Sequence, residues 1–392
     1  MKKIIAALAV VALLAGGIWF FREKIGGVIG DSGILTVLDP PPTVAREEGA
    51  REPFFYSRLS PEQKLAYDEI LAVIRDFPEK IRVSRIDEDD FNLVHHALVY
   101  DNPDLFFLSN AAYMEFRSLH CYYRPEYLCG KEEYDARLAQ VEGLRDEIFR
   151  SIPEGADDYT KEKILHDAVI SRCEYGEGTN DSDVYGALVG GRAVCAGYAK
   201  AVKYLLDSLG IYNYLVIGEA ENSRGRESHM WNTVYVGGEP YYLDVTWDDG
   251  DSGEDAGYTF FNVTQAAVAA SHFPENPADS GCVFTSQNYF LREGLYYETW
   301  DGDVRDRIGE ALTGAVALRK TGFDAAFADA DVRKAAVDAL IPGQEIYALF
   351  RAAAQRTGVE MRTDFINYSV NEERNVLHID LTKNYEGSDT DG

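Results

Sequence analysis

One segment of the sequence alternates in a way that commits it to a β-hairpin. Residues 228–236 read SHMWNTVYV, with the alternation of a strand. Gly237 and Gly238 follow, and two glycines between two such runs signal a two-residue hairpin turn. Residues 241–247, YYLDVTW, return as the second strand. The chain is therefore predicted to form an antiparallel sheet in this region.

The two-residue turn fixes which side chains face each other. Counting back from the turn sets Thr246 opposite His229, and Trp231 opposite Asp244. All four share one face of the hairpin, and Asp244 is the diagonal neighbour of His229. Diagonal neighbours lie about 7–8 Å apart at the backbone, within reach of long side chains. The spacing predicts an imidazole beside a carboxylate, whereas a three-residue turn would separate them onto opposite faces.

A cysteine lies at the predicted start of a helix. Residues 196–206 follow a glycine-containing approach and have helical character, and Gly210 is well placed just beyond the helix C-terminus. The helix then begins near Cys195. Unpaired backbone N–H groups and the positive end of the helix dipole favour the thiolate there, which is the nucleophilic form. Taken alone, such a cysteine can equally be an inert core residue.

Together these residues have the chemistry of covalent amide catalysis. Cys195 would attack, His229 would act as base and then as acid, and Asp244 would fix the imidazole tautomer and favour its charged form. For His229 alone the alternative is a hydrogen-bonded sheet histidine, but the coincidence of three groups favours catalysis. Three aromatic residues nearby are candidate substrate contacts: Tyr198, Trp231 and Trp247. A core position is the alternative for the two tryptophans.

Around these residues the sequence resembles the bacterial transglutaminase-like superfamily. The resemblance spans roughly residues 158–290 and rests on five strings in order: YGALV at 185–189, CAGYA at 195–199, HMWN at 229–232, DVTWDD at 244–249 and FFNVT at 260–264. It implies an α+β, papain-like core with the nucleophile on a helix and its partners on adjacent strands. By position these are Cys195, His229 and Asp244. Met230 stands where a small residue is usual, which would narrow the site.

Two further matches come with the resemblance. His166 and Asp167 correspond to a recurrent pair ahead of the nucleophile, which we interpret as structural. Residues 102–107 resemble an N-terminal region that is often fused to such domains and has no known separate activity.

The N-terminus predicts export. Two lysines at positions 2 and 3 precede an uncharged apolar stretch over 4–21, which as a helix would rise about 27 Å, close to the thickness of a bilayer core. We favour a retained membrane anchor over residues 1–24. A cleaved signal peptide with its exit at 15–17 is the alternative, and a buried soluble helix is a third. The expected location is membrane-anchored with an extracytoplasmic body, or secreted after signal cleavage.

The remainder of the chain divides into four segments by its sequence texture. Residues 25–52 contain several glycines and three consecutive prolines and are predicted to be a linker. Residues 53–157 are predicted to be mainly helical, and 158–305 to form the transglutaminase-like catalytic domain. Residues 306–392 are predicted to form a small α+β domain with a disordered tail from 386.

Local patterns predict individual elements in the outer segments. A capping box at 60–63 predicts the start of one helix, and the acidic run 87–90 predicts the start of a second. In the last segment we expect a strand at 315–318, then two helices, then strands near 360–367 and 376–381.

Charge and cysteine content exclude several classes of protein. Lys and Arg number 38 against 66 Asp and Glu, a net charge of −28 with no basic stripe, so nucleic-acid binding is not expected. Five cysteines without a CxxC motif indicate neither a disulfide scaffold nor a structural zinc site. If Cys195 stays a thiol, the other four can pair in three ways. Our preferred pairing joins Cys121 to Cys129 and Cys173 to Cys282.

No cofactor or metal is expected. Zinc-protease, phosphate-loop and serine-elbow motifs are missing from the sequence. The acidic run from Asp248 to Asp255 lacks the ligand spacing of an EF-hand, so we interpret it as a solvated loop, with a loose cation site as the alternative. His95 and His96 have no metal-ligand partner at useful spacing and are interpreted as structural.

Two functions fit these observations. The favoured one is an extracytoplasmic cysteine enzyme that cleaves or transfers amide bonds of a protein or peptide through a thioester, with hydrolysis favoured over crosslinking. The alternative is a cell-envelope binding or scaffolding module of the same fold whose catalytic residues are little used. A redox thiol protein is disfavoured, because no resolving cysteine lies close to Cys195 in sequence.

Overall fold

The computed structural model describes most of the chain in two compact units. The described residues are 41–46, 49, 51–118, 120–222, 225–249, 257–276 and 281–385. The division between the units falls between Ala136 and Arg137. The predicted anchor over 1–24, most of the predicted linker and the predicted tail lie outside the described residues. Within the described ranges, no helix combines the length and the apolar character needed to cross a membrane.

The first unit combines helices with a three-stranded antiparallel sheet. Its helices are α1 Phe54–Ser57, α2 Pro61–Leu71 and α3 Phe91–Asp101. Its strands, in the spatial order β1-β3-β2, are β1 Ile81–Ser84, β2 Leu108–Phe116 and β3 His120–Tyr127. The mainly helical prediction for this region did not include the sheet. Charged residues and a proline interrupt the alternation in β2 and β3, and β1 alternates but is only four residues long.

The capping box predicted at the start of α2 is confirmed. The Ser60 backbone N–H donates to Gln63 Oε1 at 2.7 Å, and the Gln63 N–H donates to Ser60 Oγ at 3.3 Å. Pro61 occupies the first helical position, where its missing N–H costs nothing. The predicted second helix, α3, also follows its acidic run directly.

The second unit contains the predicted catalytic residues. Its helices are α4 Lys131–Arg150, within which the division falls, α5 Asp158–Ile170, α6 Cys195–Ser208, α7 Val245–Asp248, α8 Tyr289–Arg292, α9 Gly302–Ala317, α10 Ala330–Leu340, α11 Glu345–Thr357 and α12 Thr382–Tyr385. Its strands are β4 Glu174–Tyr175, β5 Arg192–Ala193, β6 Asn213–Asn222, β7 Gly225–Val236, β8 Glu239–Leu243, β9 His272–Pro274, β10 Tyr296–Tyr297, β11 Gly322–Phe327, β12 Asn367–Asn371 and β13 Val376–Asp380.

The central sheet of this unit has the antiparallel order β8-β7-β6-β9, and α6 packs against β6 and β7. The core between them is aliphatic, with Leu205, Leu215 and Val234 fully buried. Burying side chains of this size contributes about 1.5–3 kcal/mol each. The helix that begins at Cys195 is thereby held against the strand that carries His229.

The hairpin between β7 and β8 has the predicted register. Val236 pairs with Glu239 across the turn, and pairing continues to Asn232 opposite Leu243. Gly237 and Gly238 have φ angles of 62° and 88°, which a two-residue turn of this kind requires and glycine adopts without strain.

The predicted second strand ends earlier than expected. Residues 245–247, predicted as strand, instead begin α7, with Asp244 as its N-cap residue. The Asp244 carboxylate accepts hydrogen bonds from the backbone N–H groups of Thr246 and Trp247. This local bonding replaces the next rungs of the strand pairing.

The edge strand β9 approaches β6 very closely. Gly218 pairs with Pro274, and Ala220 pairs with His272. A Cβ atom added at Gly218 would lie 2.3 Å from the Phe273 carbonyl oxygen, too close for any side chain. Only glycine lets these two backbones pair at this distance.

The C-terminal part of the second unit is an α+β layer around the sheet β10-β11-β13-β12. The predicted strand near 376–381 is confirmed as β13. The strand predicted near 360–367 is found later, as β12. The strand predicted at 315–318 is wrong, because most of that segment is the last turn of α9, whose buried residues Val304, Ile308, Leu312 and Val316 recur at helical spacing.

The predicted disulfide pairs are not formed. Cys121 and Cys282 are both buried thiols, which excludes the pairing of Cys121 with Cys129 and of Cys173 with Cys282. Cys121 Sγ lies 3.8 Å from the Ile86 carbonyl oxygen. Burial raises the pKa of the Cys282 thiol to about 12, so this thiol is unreactive.

Candidate active site

Cys195 is the first residue of α6, as predicted. The preceding residue, Val194, is extended and its backbone N–H donates to the Asp181 carbonyl oxygen at 2.9 Å. Cys195 itself is half-buried. The N–H groups in the first turn of a helix have no acceptor within the helix, so positive potential surrounds the sulfur.

His229 and Asp244 form a buried pair. His229 lies on β7, Asp244 directly follows β8, and His229 Nε2 is 2.6 Å from Asp244 Oδ2. The side chains are 7% and 3% exposed. The diagonal relation predicted from the turn therefore becomes a direct hydrogen bond in the structure.

The Cys195 side chain adjoins His229 and interacts with its ring. Burial alone would lower the pKa of His229, but the charge of Asp244, the hydrogen bond to Asp244 and the interaction with Cys195 outweigh burial and raise the pKa to about 10. The same interactions hold the pKa of Asp244 well below its usual range, despite its burial. The geometry thus favours an imidazolium between a carboxylate and a sulfur. Because Asp244 occupies Nε2, the nitrogen that remains for the sulfur is Nδ1.

The three predicted substrate contacts have different positions. Trp247 is half-buried beside the site, with its ring centroid 5.8 Å from that of His229. Trp231 is 1% exposed and stacks on His229 from within the core. Tyr198 is fully buried, and its hydroxyl, with one proton to donate, lies between the Cys173 carbonyl oxygen at 3.0 Å and the Asp249 carboxylate. Tyr198 and Trp231 therefore support the site from inside, and only Trp247 is placed to touch a substrate.

A cleft opens beside His229. Besides His229, its lining includes Tyr175, Asn222, Glu227, Ser228, Thr246 and Trp247. We call this the His229 cleft. Glu227 is its only acidic lining residue, and no Lys or Arg lines it among the described residues. One exposed and one half-buried aromatic ring lie beside several polar groups and one carboxylate, so the cleft is mixed in polarity and mildly acidic.

The comparison with protein families agrees with this geometry. The model of the transglutaminase-like superfamily matches residues 147–248, which include Cys195, His229 and Asp244. The chain contains a transglutaminase-like domain. The resemblance in the sequence is therefore confirmed for that segment, and the mixed helix-and-strand architecture fits the predicted α+β class.

Solved structures similar to this chain include three with related descriptions. A candidate cysteine protease from Cytophaga hutchinsonii is 21% identical, with 27% of this chain and 38% of that chain covered and a TM-score of 0.25. A structure described as a TGase is 16% identical, with 43% and 50% covered and a TM-score of 0.25. A candidate protease from Parabacteroides distasonis is 12% identical, with 34% and 35% covered and a TM-score of 0.21.

The chain thus spans half or less of the length of each of these three structures. At these TM-scores the similarities carry no argument about activity. A comparison with curated proteins found no match.

A second histidine binds the Asp244 carboxylate of the transglutaminase-like domain and was not predicted. His272, on β9, places Nε2 3.0 Å from Asp244 Oδ2. Sequence reasoning missed it because a lone histidine in the string AASHFP follows no catalytic pattern. Only the pairing of β9 with β6 brings it to the site.

The two histidines and Asp244 also raise the question of a metal ion. Within the described ranges, His229, Asp244 and His272 bring ligand atoms within 4.8 Å of one another. A histidine must be neutral at the binding nitrogen to ligate a metal. Here both histidines direct Nε2 at the same oxygen of Asp244, at 2.6 and 3.0 Å, which is the arrangement of two hydrogen-bond donors on one carboxylate.

A separate buried histidine stands behind the site. His166 Nδ1 lies 2.9 Å from Asp167 Oδ1, and its Nε2 lies 3.2 Å from Asp248 Oδ2. The prediction that Asp248 lies in a solvated acidic loop is therefore wrong. Asp248 is 1% exposed, and its Oδ1 accepts a hydrogen bond from the Phe260 N–H at 2.8 Å. Because both residues are buried and neither lines the His229 cleft, we interpret His166 and Asp248 as a structural pair.

Proposed function

We propose that this protein is a cysteine enzyme that acts on amide bonds through a thioester intermediate. The observation that carries the proposal is the buried hydrogen bond between Asp244 and His229, next to a half-buried Cys195 at the start of α6. The match to the transglutaminase-like superfamily over the same residues supports it. Pure binding would not need this trio in this order.

The reaction follows from the positions of the three groups. The Cys195 sulfur attacks the carbonyl carbon of the amide, and the new C–S bond forms as negative charge develops on the oxygen. Backbone N–H groups at the start of α6 stabilise that charge. His229 then donates its proton to the departing nitrogen as the C–N bond breaks, which leaves a thioester. Asp244 keeps the imidazole oriented throughout.

The thioester is released by a second nucleophile. Water gives up a proton to His229 and attacks the thioester carbonyl, the C–S bond breaks, and a carboxylic acid leaves as the thiol is restored. A primary amine in place of water gives a new amide. We favour hydrolysis of a protein or peptide substrate, because water needs no second binding site whereas an amine does.

We further propose that the catalytic body lies outside the cytoplasm. Support comes from the N-terminal sequence, in which two lysines precede an apolar stretch of bilayer-spanning length. Fractionation of cells with a C-terminal tag, followed by protease treatment of intact cells, tests this location. Protection of the tag from external protease in cells with a permeable outer layer would argue against it.

Alkylation of Cys195 tests the catalytic proposal without knowledge of the substrate. Native protein is treated with iodoacetamide at pH 6 and at pH 9, and the site of labelling is found by mass spectrometry. We expect Cys195 to label readily at pH 6. His229→Ala should reduce that rate by about one to two orders of magnitude, because an unassisted thiol is almost entirely protonated at pH 6. Cys195→Ala identifies the labelled site.

A slow wild-type rate that equals that of His229→Ala would instead favour the binding module. If Cys195 proves activated, a peptide library with and without an added primary amine separates hydrolysis from crosslinking. Hydrolysis predicts product carboxylates whether or not the amine is present.

A further inference from the structure

The Asp244 carboxylate accepts four hydrogen bonds. Its Oδ1 accepts from the backbone N–H groups of Thr246 at 3.0 Å and Trp247 at 3.2 Å. Its Oδ2 lies 2.6 Å from His229 Nε2 and 3.0 Å from His272 Nε2. A carboxylate with this many donors is strongly held in its ionised form and in a single orientation.

His272 reaches Asp244 from a different part of the chain. It is the first residue of β9, is 5% exposed and lies outside the residues matched by the transglutaminase-like superfamily. Its ring packs among those of Trp231, Trp247 and Phe260 at centroid distances of 5.1, 4.6 and 5.4 Å. These contacts fix the plane of the imidazole.

The hydrogen bonds define which nitrogen of His272 carries the proton. An ionised carboxylate only accepts, so Nε2 must donate to Asp244. Nδ1 lies 2.9 Å from Ser271 Oγ and, in the neutral ring, accepts from that hydroxyl. The Asp244 carboxylate therefore selects the tautomer in which His272 is a donor, and the Ser271 hydroxyl, which can donate or accept, accommodates it.

We propose that His272 is a positioning residue, which holds the Asp244 carboxylate ionised and aligned on His229 through its Nε2–H. The proposal rests on the proposed function, because it assigns a supporting role in that reaction. His272 is not itself among the residues that line the His229 cleft; it packs behind Trp247 and acts through Asp244.

The charges that face His272 explain why it serves as a neutral donor. Burial lowers its pKa, Asp244 opposes that effect, and the positive charges of His229 and Arg374 add to it. Beside a protonated His229, a second buried imidazolium would be repelled. The group then consists of one cation, one anion and one neutral donor, which is a balanced arrangement for a buried site.

Three substitutions of His272 separate its hydrogen bond from its packing. His272→Gln can place an amide N–H near the position of Nε2, whereas His272→Asn is shorter and cannot reach Asp244. His272→Phe keeps a ring of similar shape but has no N–H. We expect His272→Phe and His272→Asn to slow labelling of Cys195 at pH 6 about tenfold or more, and His272→Gln to stay within about threefold of wild type.

Thermal melting monitors folding of each variant, and the comparison of Gln with Asn holds even if the Phe variant fails to fold. Equal, wild-type labelling rates in folded Phe and Asn variants would overturn the proposal. Wild-type protein labelled with ¹⁵N-histidine provides a second readout. The NMR spectrum at pH 7 should show His272 neutral with the proton on Nε2, and a proton on Nδ1 or a charged ring would contradict the assignment.

The same protein tests the competing role as a metal ligand. If one equivalent of zinc copurifies and blocks labelling until a chelator removes it, His272 is a ligand and the positioning role is wrong. Failure of the proposed function gives a different result: wild-type Cys195 then labels as slowly as His229→Ala, while the NMR tautomer still reports whether His272 donates to Asp244.

Discussion

Asp244 is the N-cap residue of α7 and Asp248 is its last residue, and the Asp248 backbone N–H donates to the Asp244 carbonyl oxygen at 3.2 Å. The first carboxylate faces the proposed active site. The second faces away from it, toward His166. The buried ion pair between Asp248 and His166 therefore stabilises the helical turn that positions the Asp244 carboxylate.

His166→Gln should destabilise the protein and also slow Cys195 labelling. The substitution leaves Asp248 buried without its cationic partner, and breaking such a pair costs about 3–5 kcal/mol. Urea unfolding measures the free energy, and iodoacetamide labelling at pH 6 reports on the active site. Lys334→Gln is the control, because it breaks the exposed pair with Asp338 at 2.6 Å and should change stability by about 1 kcal/mol or less. Equal effects of the two substitutions would contradict the structural role of His166.

Stability should fall as pH rises from neutral to about 9. Burial alone would lower the pKa of His166, but its hydrogen bonds to Asp167 and Asp248 raise it to about 9, from an ordinary 6.5. Its contribution is complete below pH 6.5 and is lost as pH passes through 9, a change on the order of 3 kcal/mol. The raised pKa of His229 acts in the same direction. Urea unfolding at pH 6 and at pH 9 measures this loss of the free energy of unfolding. His166→Gln should make the difference between the two pH values smaller. An equal difference in the variant and in the wild type would assign the pH dependence to other groups.

Glu162→Gln should stabilise the protein at pH 8. Glu162 is fully buried, and burial raises its pKa to about 8, because the hydrogen bond from Asn262 at 2.7 Å and the charge of His166 offset burial only in part. The folded state must therefore keep this carboxyl protonated, at a growing cost above pH 4.5. Glutamine removes the cost, and we expect a gain of about 1–3 kcal/mol at pH 8 but little at pH 5. A loss of stability at both pH values in urea unfolding would show that the carboxyl contributes a needed contact.

Gly197→Ala should disturb the start of the cysteine helix. A Cβ atom at this position would lie 2.4 Å from the Asp181 carbonyl oxygen and 2.7 Å from Ala193 Cβ. Overpacking of this kind costs about 1–3 kcal/mol, and we expect slower Cys195 labelling as well. Gly143→Ala is the matched control in α4, where nothing lies within 4 Å, so alanine should gain about 0.5–1 kcal/mol. Thermal melting of the two variants should therefore give shifts of opposite sign.

Glu227→Gln should change how Cys195 discriminates between charged and neutral reagents. With one carboxylate and no basic residue lining the His229 cleft among the described residues, we expect negatively charged iodoacetate to react relatively more slowly than iodoacetamide. Glu227→Gln should raise the ratio of the iodoacetate rate to the iodoacetamide rate about twofold at low salt. Added salt should reduce this difference between the variant and the wild type. Glu310→Gln, an exposed carboxylate on α9, should leave the ratio unchanged. A ratio insensitive to Glu227 would mean that this residue does not influence approach to the sulfur.

The sequence was most informative where the contacts are local. His229 and Asp244 are 15 residues apart on one hairpin, so the turn alone sets their relation. The helical pattern of residues 196–206, with Gly210 marking the end of the helix, likewise placed the start of α6 near Cys195. The early end of β8 could also have been anticipated, because Asp is a favoured N-cap residue and the carboxylate of Asp244 bonds the next turn.

Contacts between distant segments were beyond such reasoning. Asp248 meets His166 across 82 residues, and nothing in an acidic string indicates which carboxylate is buried. His272 depends on the pairing of a three-residue edge strand, too short to show alternation. In both cases the partner is chosen by tertiary packing, which local propensity does not encode.

The close approach of β6 and β9 at Gly218 bears on protein engineering. A designer who transplants the second histidine into another transglutaminase-like scaffold would move residues 271–274 as a cassette. That cassette can seat only where the neighbouring strand carries glycine opposite Pro274, since any larger residue would collide with the Phe273 carbonyl oxygen. The histidine and the glycine are therefore portable only as a pair.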